Sequence, residues 1–280
     1  MNDIKNKFYR NSIKSVPINF KKQLPNGFIL IKSSFSEPDF FLNEIKNCER
    51  IPDYLCRSYL KLGETPSNLS SYDKFRNKPG ENFPEILNFY NTLINFENLY
   101  INGDTNKTHN PNSVNYFSIN ETLGNNYIEN IPANLNIPAN LNIPFHKDKF
   151  PNFYPKYICI SYISQRGVGV CTNKFINTVS RKNKVKNEDG KLLIVNDYNI
   201  NIKNEEEISL KKNNILEVTQ YSDRINLIYK YNSYTITESI ERKPNEIISL
   251  YIDNYKYDHN VDTELCKNDE RIVSILMIDK

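Results

Sequence analysis

Apolar positions in the second half of the chain fall in short runs that predict β-strands. Runs rich in Ile, Val and Tyr occur at 157–164, 191–195, 224–231, 247–253 and 272–278, and polar stretches rich in Asn, Lys and Glu separate them. Short apolar runs between polar loops are typical of buried strands. Many short strands after a more helical N-terminal part predict a β-barrel or β-sandwich that is backed by helices.

The first half of the chain begins with one strand pattern and one helical pattern. Residues 28–32 (FILIK) predict a short buried strand. Ser36 is expected to start a helix, because serine is a favoured N-cap residue and Phe41 and Ile45 follow one helical turn apart.

A second helix is predicted over residues 84–100. Pro84 suits the first turn of a helix, where its missing N–H group costs nothing. Ile86, Tyr90 and Leu93 would then line one face, which indicates the side that packs on the core.

No shift in composition marks a domain boundary. We therefore expect one domain over residues 1–280, with 1–130 as a mixed, partly helical support region and 131–280 as the strand-rich core. The hexapeptide IPANLN occurs twice in succession at 131–142. Two copies are too few for a solenoid, so a local duplication that lengthens a surface loop is the favoured interpretation, with a mobile lid as the alternative.

Charge and cysteine usage exclude several classes of protein. The 36 Lys and Arg are dispersed among 33 Asp and Glu for a net charge of +3, so we do not expect nucleic-acid binding. The five cysteines include no CxxC pair, which favours reduced thiols and a cytoplasmic location over a disulfide framework or zinc ribbon. The first ten residues lack an apolar stretch and no run is long enough to span a bilayer, so neither a signal peptide nor membrane insertion is expected.

Candidate chemistry centres on two of the three histidines. His146 is followed by Asp148, and His259 comes soon after the apolar run 247–252. Two residues two apart on an extended segment point to the same side, so His146 and Asp148 can reach one ion. With a distant imidazole they match the ligand set of non-haem iron(II) oxygenases. An acidic residue near a histidine is also a common chance pattern, since 33 of 280 residues are acidic.

Two segments resemble the taurine dioxygenase and clavaminate synthase-like superfamily. The first spans 144–172, in which an HxD motif opens the segment, a Pro-x-Tyr strand follows and a Gly-containing turn ends in Thr. The matching residues there are His146, Asp148, Pro155, Tyr157, Gly169 and Thr172. The second spans 247–278, with matching residues Asp253, Asn254, His259, Asp269 and Arg271. Together these segments keep the order of the family's functional residues.

The resemblance implies an iron(II)- and 2-oxoglutarate-dependent dioxygenase. It implies a double-stranded β-helix (a cupin-like jelly-roll) with N-terminal helices packed outside, iron(II) held by His146, Asp148 and His259, and 2-oxoglutarate bound by Thr172 and Arg271. With O₂ as co-reactant, such an enzyme hydroxylates, desaturates or cyclises a small molecule. A free amino acid or amino-acid derivative is the expected substrate. An Asp at position 148 favours these outcomes over halogenation, since related halogenases lack this carboxylate.

Two other functions stay open at this point. The chain could be a non-catalytic β-barrel module that binds a small ligand and in which the histidines are structural. It could also be a thiol hydrolase that uses Cys171 or Cys159, although Cys159 lies within an apolar run where a structural role is expected. His109 lies in an Asn-rich polar stretch, and we expect it to be exposed and without a catalytic role.

Overall fold

A computed structural model gives the architecture of the chain. It describes residues 16–52, 57–63, 78–97, 101, 116–124, 142–149, 154–177, 184–186, 192–194, 215–231, 234–266 and 268–278. The described part is mainly β, as the sequence predicts, with antiparallel sheets and two α-helices.

Sixteen strands and two α-helices are formed within the described residues. The strands are β1 (Ile18–Gln23), β2 (Ile29–Ser34), β3 (Arg50–Pro52), β4 (Arg57–Leu60), β5 (Tyr116–Leu123), β6 (Asn142–His146), β7 (Tyr157–Arg166), β8 (Val170–Asn177), β9 (Lys184–Lys186), β10 (Leu192–Ile194), β11 (Ile215–Gln220), β12 (Arg224–Tyr231), β13 (Tyr234–Glu241), β14 (Glu246–Asp253), β15 (Tyr257–Glu264) and β16 (Glu270–Ile278). The helices are α1 (Pro38–Asn47) and α2 (Pro84–Phe96).

The strands form two large antiparallel sheets and one short hairpin. The larger sheet has the order β1-β2-β14-β7-β16-β5-β4-β3, and the smaller sheet has the order β13-β12-β11-β8-β15-β6. Strands β9 and β10 pair with each other. In the second half the chain passes repeatedly between the two large sheets: β6, β8 and β15 belong to the smaller sheet, whereas β7, β14 and β16 belong to the larger one.

The central strands of the larger sheet, β14, β7 and β16, are buried on both faces. Along β16, Val273 and Met277 point into the core between the two sheets, whereas Ile272 and Leu276 point into a second core with the helices. A strand that is covered on both faces has a continuous run of apolar residues in its sequence. The strands β7, β14 and β16 are therefore easily predicted from the sequence.

The helices pack on the outer face of the larger sheet. Phe41 and Ile45 of α1 join Phe89 and Leu93 of α2 in this outer core. The Glu44 carboxylate accepts hydrogen bonds from the first backbone N–H groups of α2, at 2.9 Å for the closest. These N–H groups have no partner within the helix, so Glu44 stabilises its start and fixes the two helices together.

Most predicted elements are confirmed, and two helix limits are corrected. The first helix begins at Pro38, with Glu37 as its N-cap and no side-chain capping bond, so the start predicted at Ser36 is wrong. The second begins at Pro84 as predicted but its α-helical part ends at Phe96. The repeat at 131–142, apart from its last residue, lies outside the described residues.

Candidate metal centre

The two sequence-distant histidines lie side by side at one edge of the smaller sheet. His146 is the last residue of β6, His259 is the third residue of β15, and the two are direct partners in the antiparallel register. The centres of their rings are 4.3 Å apart. The sheet pairing therefore brings together two imidazoles that are far apart in sequence, as the metal hypothesis requires.

Asp148 completes a cluster of three donors. One oxygen of its carboxylate lies 3.5 Å from Nε2 of His146, and the other lies 3.5 Å from Nε2 of His259. One donor atom from each residue falls within 4.8 Å of the other two. Metal bonds of about 2.1 Å at right angles set neighbouring donors about 3 Å apart, so a small closure of the cluster suits one divalent ion.

The orientation of His146 is fixed by a local contact. Its Nδ1 lies 2.8 Å from the carbonyl oxygen of Pro144, so Nδ1–H can donate to that carbonyl and leave Nε2 as the metal donor. The His146 side chain is 36% exposed, compared with 9% for His259 and 16% for Asp148. The centre is therefore open to solvent on the His146 side and enclosed on the others.

Burial and neighbouring charges set the protonation states of the three side chains close to those that bind a metal ion. Burial, aided by the charges of His146 and Lys147, lowers the pKa of His259 to about 4 despite the charge of Asp148. Burial raises the pKa of Asp148, but its interactions with His259, His146 and Arg57 outweigh the effect of burial, and the net shift is downward. Burial also lowers the pKa of His146, but Asp148 more than compensates and raises it overall. His259 is thus neutral and Asp148 ionised at neutral pH, as ligands must be.

Asn254 ties the segment that carries Asp148 to the turn before β15. Its buried Nδ2 donates to the carbonyl oxygens of Asp148 at 3.0 Å and Pro155 at 2.9 Å. The neighbouring Lys147 Nζ donates to the carbonyls of Asn254 and Tyr255 at 3.2 and 2.6 Å. Since His259 lies shortly after this turn, these contacts set the distance between Asp148 and the second imidazole.

Arg271, the predicted anchor for a carboxylate, lies inside the sandwich. It is only 4% exposed, and it donates from Nε to Gln220 Oε1 at 2.9 Å and from Nη2 to Asn173 Oδ1 at 3.2 Å. Within the part of the chain that the structure describes, no carboxylate lies within 4.0 Å of its guanidinium. A buried guanidinium held by two neutral amides lacks a counterion, and an anionic ligand would supply one.

The register sets Arg271 near the metal cluster. Asn173, which contacts Arg271, pairs with Val261 on β15, and His259 pairs with Phe175 two residues further along β8. Such diagonal neighbours on one face of a sheet have Cα atoms about 7 to 8 Å apart. Asn173, which holds the guanidinium, and His259 are therefore neighbours on the inner face of the smaller sheet.

The structure does not bring Thr172, which was predicted to bind the same ligand as Arg271, to the guanidinium. Side chains alternate across a strand, and the neighbours Asn173 and Phe175 point between the sheets. Thr172 therefore points to the outer face of the smaller sheet, where its hydroxyl lies 3.1 Å from that of Thr219. The residues that do contact Arg271 are Asn173 and Gln220, which the sequence comparison missed.

The start of β16 is anchored by Asp269, the acidic partner of Arg271 in the sequence motif. Its buried carboxylate accepts hydrogen bonds from the backbone N–H of Gly169 at 2.8 Å and of Cys266 at 2.7 Å. A side chain at Gly167, where φ is +99°, would collide with this carboxylate. The Asp269 carboxylate thus holds the turn between β7 and β8 against the start of β16, and this is a structural role.

The two thiols considered as nucleophiles, Cys159 and Cys171, lie in the interior of the described part of the chain. Cys159 and Cys171 are fully buried, and burial raises the pKa of the first thiol to about 12 and of the second to about 11. A thiol that stays protonated is a poor nucleophile, which argues against the thiol hydrolase. His109 lies outside the described residues.

Comparison of the chain with models of known protein families, with curated proteins and with solved structures gave no match. Among the described residues, no helix has the length and apolar character needed to cross a membrane.

Proposed function

We propose that the chain is an iron(II)- and 2-oxoglutarate-dependent oxygenase that oxidises a C–H bond of a small molecule, with a free amino acid or an amino-acid derivative as its expected substrate. The observation that carries the proposal is the convergence of His146, Asp148 and His259, in which each carboxylate oxygen lies 3.5 Å from a different imidazole nitrogen. Two histidines and one carboxylate on one side of an ion leave the other positions open for ligands.

The topology supports the double-stranded β-helix as the fold of this oxygenase. Two facing antiparallel sheets are formed, and the chain alternates between them from β6 to β8 and again from β13 to β16, whereas β11, β12 and β13 follow one another in the smaller sheet. The metal donors come from the edge of the smaller sheet, and Arg271 comes from the centre of the larger one. A ligand held by both would lie between the sheets, where water is largely excluded.

Each residue of the candidate site has a definite role in this proposal. His259 and Asp148 are held in the neutral and ionised states that bind a metal, and His146, whose pKa is raised, gives up a proton on binding when the pH is below that pKa. Arg271 pairs with the far carboxylate of 2-oxoglutarate, and Gln220 and Asn173 hold its guanidinium in place. When bound, iron(II) with 2-oxoglutarate and O₂ supplies the oxidation of the substrate C–H bond.

The test is the release of succinate from 2-oxoglutarate in the presence of iron(II) and ascorbate. We expect succinate from the unaltered chain, no succinate from a His146→Ala variant and a normal rate from a His109→Ala control. Equal rates in the two variants would contradict the assigned centre. A total lack of succinate from a folded, iron-loaded chain would instead favour the non-catalytic ligand-binding module.

A further inference from the structure

A row of buried polar side chains lines the inner face of β5. Ser118, Asn120 and Thr122 are each at most 4% exposed, and they alternate with residues that face the helices. The next inward residue along the strand is Tyr116, which belongs to the core between the sheets. The space between two packed sheets is normally filled by apolar side chains, so a polar row there points to a polar occupant.

Asn120 carries a hydrogen-bonding atom without a partner. Its Nδ2 donates to the Ser118 hydroxyl at 3.3 Å, but its Oδ1 is buried and accepts no hydrogen bond. The residue is 2% exposed, so solvent does not satisfy this oxygen. A buried acceptor without a partner costs free energy that a ligand with an N–H or O–H donor would recover.

Arg57 on the neighbouring strand β4 lies beside this row. Arg57 pairs with Thr122, and Thr122 pairs with Arg271, so the two arginines belong to one row across three strands and point to the same face. Strands are spaced about 4.8 Å apart, which sets the two Cα atoms about 10 Å from each other. The inner face of the larger sheet therefore carries a second arginine, the half-buried Arg57, in the same row as the one proposed for the cosubstrate.

The Arg57 side chain extends along β4 towards Tyr59. Its Nη2 donates to the Tyr59 hydroxyl at 2.9 Å, and its guanidinium carbon lies 5.2 Å from the centre of the Tyr59 ring. Tyr59 pairs with Asn120 in the sheet, so the Arg57 guanidinium lies beside the polar row of β5.

We propose that Arg57 and Asn120 form the substrate subsite, in which Arg57 pairs with a carboxylate of the substrate and Asn120 accepts a hydrogen bond from an N–H group of the same molecule. The fork of a guanidinium matches the two oxygens of a carboxylate, and an amide oxygen matches an N–H donor. The substrate class is then a small carboxylic acid that also carries an N–H group. The inference rests on the proposed function only in naming this ligand as the molecule that is oxidised.

Calorimetric titration tests the subsite directly. The full chain, loaded with manganese(II) and 2-oxoglutarate so that no turnover occurs, is titrated with each common L-amino acid and with its methyl ester, which lacks the negative charge. We expect at least one free acid to bind about 30-fold more tightly than its ester, as for loss of one partner of a buried charge pair. Arg57→Met should bring acid and ester to the same Kd, and Arg57→Lys should restore part of the preference.

Asn120→Leu should weaken the acid and its ester to the same extent, because both carry the N–H donor. Arg224→Met is the matched control, since Arg224 is exposed and its ion pair is with the adjacent Asp223. This variant should keep the preference for the acid. The subsite is refuted if no acid in the panel binds, if acids and esters bind equally to the unaltered chain, or if Arg57→Met keeps the preference.

Succinate release separates this inference from the proposed function. A chain that releases succinate but binds esters as well as acids would refute the subsite and leave the oxygenase standing. A chain that prefers acids through Arg57 but releases no succinate with iron(II) would refute the oxygenase and leave the subsite standing.

Discussion

Replacing Arg271 with Met removes the proposed anchor of the 2-oxoglutarate carboxylate while keeping an unbranched apolar stem. Loss of one partner of a buried, hydrogen-bonded charge pair costs about 2 to 5 kcal/mol, which corresponds to about 30-fold to several thousand-fold weaker binding. We therefore expect the Kd for 2-oxoglutarate to rise by at least about 30-fold. Metal binding should persist, because Arg271 is not one of the three clustered donors.

The stability of the ligand-free chain should change little in this variant. Two hydrogen bonds from a charged group, to Gln220 and Asn173, are lost at about 1.5 to 3 kcal/mol each. The loss is offset because a buried charge without a counterion, itself a penalty of several kcal/mol, disappears as well. Asn173 also keeps its hydrogen bond from the Tyr162 hydroxyl at 3.3 Å.

Thermal unfolding with and without the ligand is the assay. At 100 times the Kd of the unaltered chain, 2-oxoglutarate adds about 2.7 kcal/mol, which for a chain of this size raises Tm by about 5 °C. At the same concentration the variant should gain less than about 2 °C. Arg224→Met should behave as the unaltered chain does. An undiminished shift in a folded Arg271→Met variant would refute the role of Arg271.

Three further predictions concern the metal cluster and the thiols. Asn254→Ala should weaken manganese(II) binding by about 10- to 100-fold, as for other groups that orient a ligand, because the Asp148 carbonyl loses its donor. Calorimetry at pH 6 in buffers of different ionisation enthalpy should find about one proton released per metal bound, because His146 has a raised pKa and His259 is already neutral. Alkylation of the folded chain should reach the exposed Cys266 before the buried thiols of the described residues, as peptide mass spectrometry would show.

Each of these predictions has a contradicting result. Unchanged manganese affinity in a folded Asn254→Ala variant would mean that the contact to Asp148 does not position the carboxylate. Release of two protons at pH 6 would mean that both imidazoles are charged in the metal-free chain. The proton count should also fall towards zero well above the raised pKa of His146, because that imidazole is then neutral before metal binds. Equal labelling of Cys159 and Cys266 would mean that the larger sheet opens readily.

The elements that could be predicted from the sequence are the strands that are covered on both faces and the helices that have one apolar face. Strands β7, β14 and β16 are continuous apolar runs because the larger sheet separates two cores. Strands β8 and β15 were missed. Their inner faces carry Asn173 and His259 in place of apolar residues, so the alternation that identifies a half-buried strand is broken where the candidate site lies.

The candidate site could be predicted in part. The order of His146, Asp148 and His259 in the sequence identified the three residues that the fold brings together. A sequence motif gives a position in a strand but not the face, and a difference of one residue reverses the face, so the motif joins Thr172 to Arg271 whereas the structure sets Thr172 on the outer face. The alternation of Cys171, Asn173 and Phe175 could have identified Asn173, since the fully buried Phe175 marks the inner face.

Anaerobic titration with iron(II) in the presence of 2-oxoglutarate is the most direct test of the central claim. A weak visible absorption band is expected in this class of enzyme when both bind at one centre. The account predicts that the band grows to saturation at one iron per chain, and that His259→Ala abolishes it while His109→Ala preserves it. Absence of the band in the unaltered chain, or an equal band in His259→Ala, would contradict a metal centre formed by His146, Asp148 and His259.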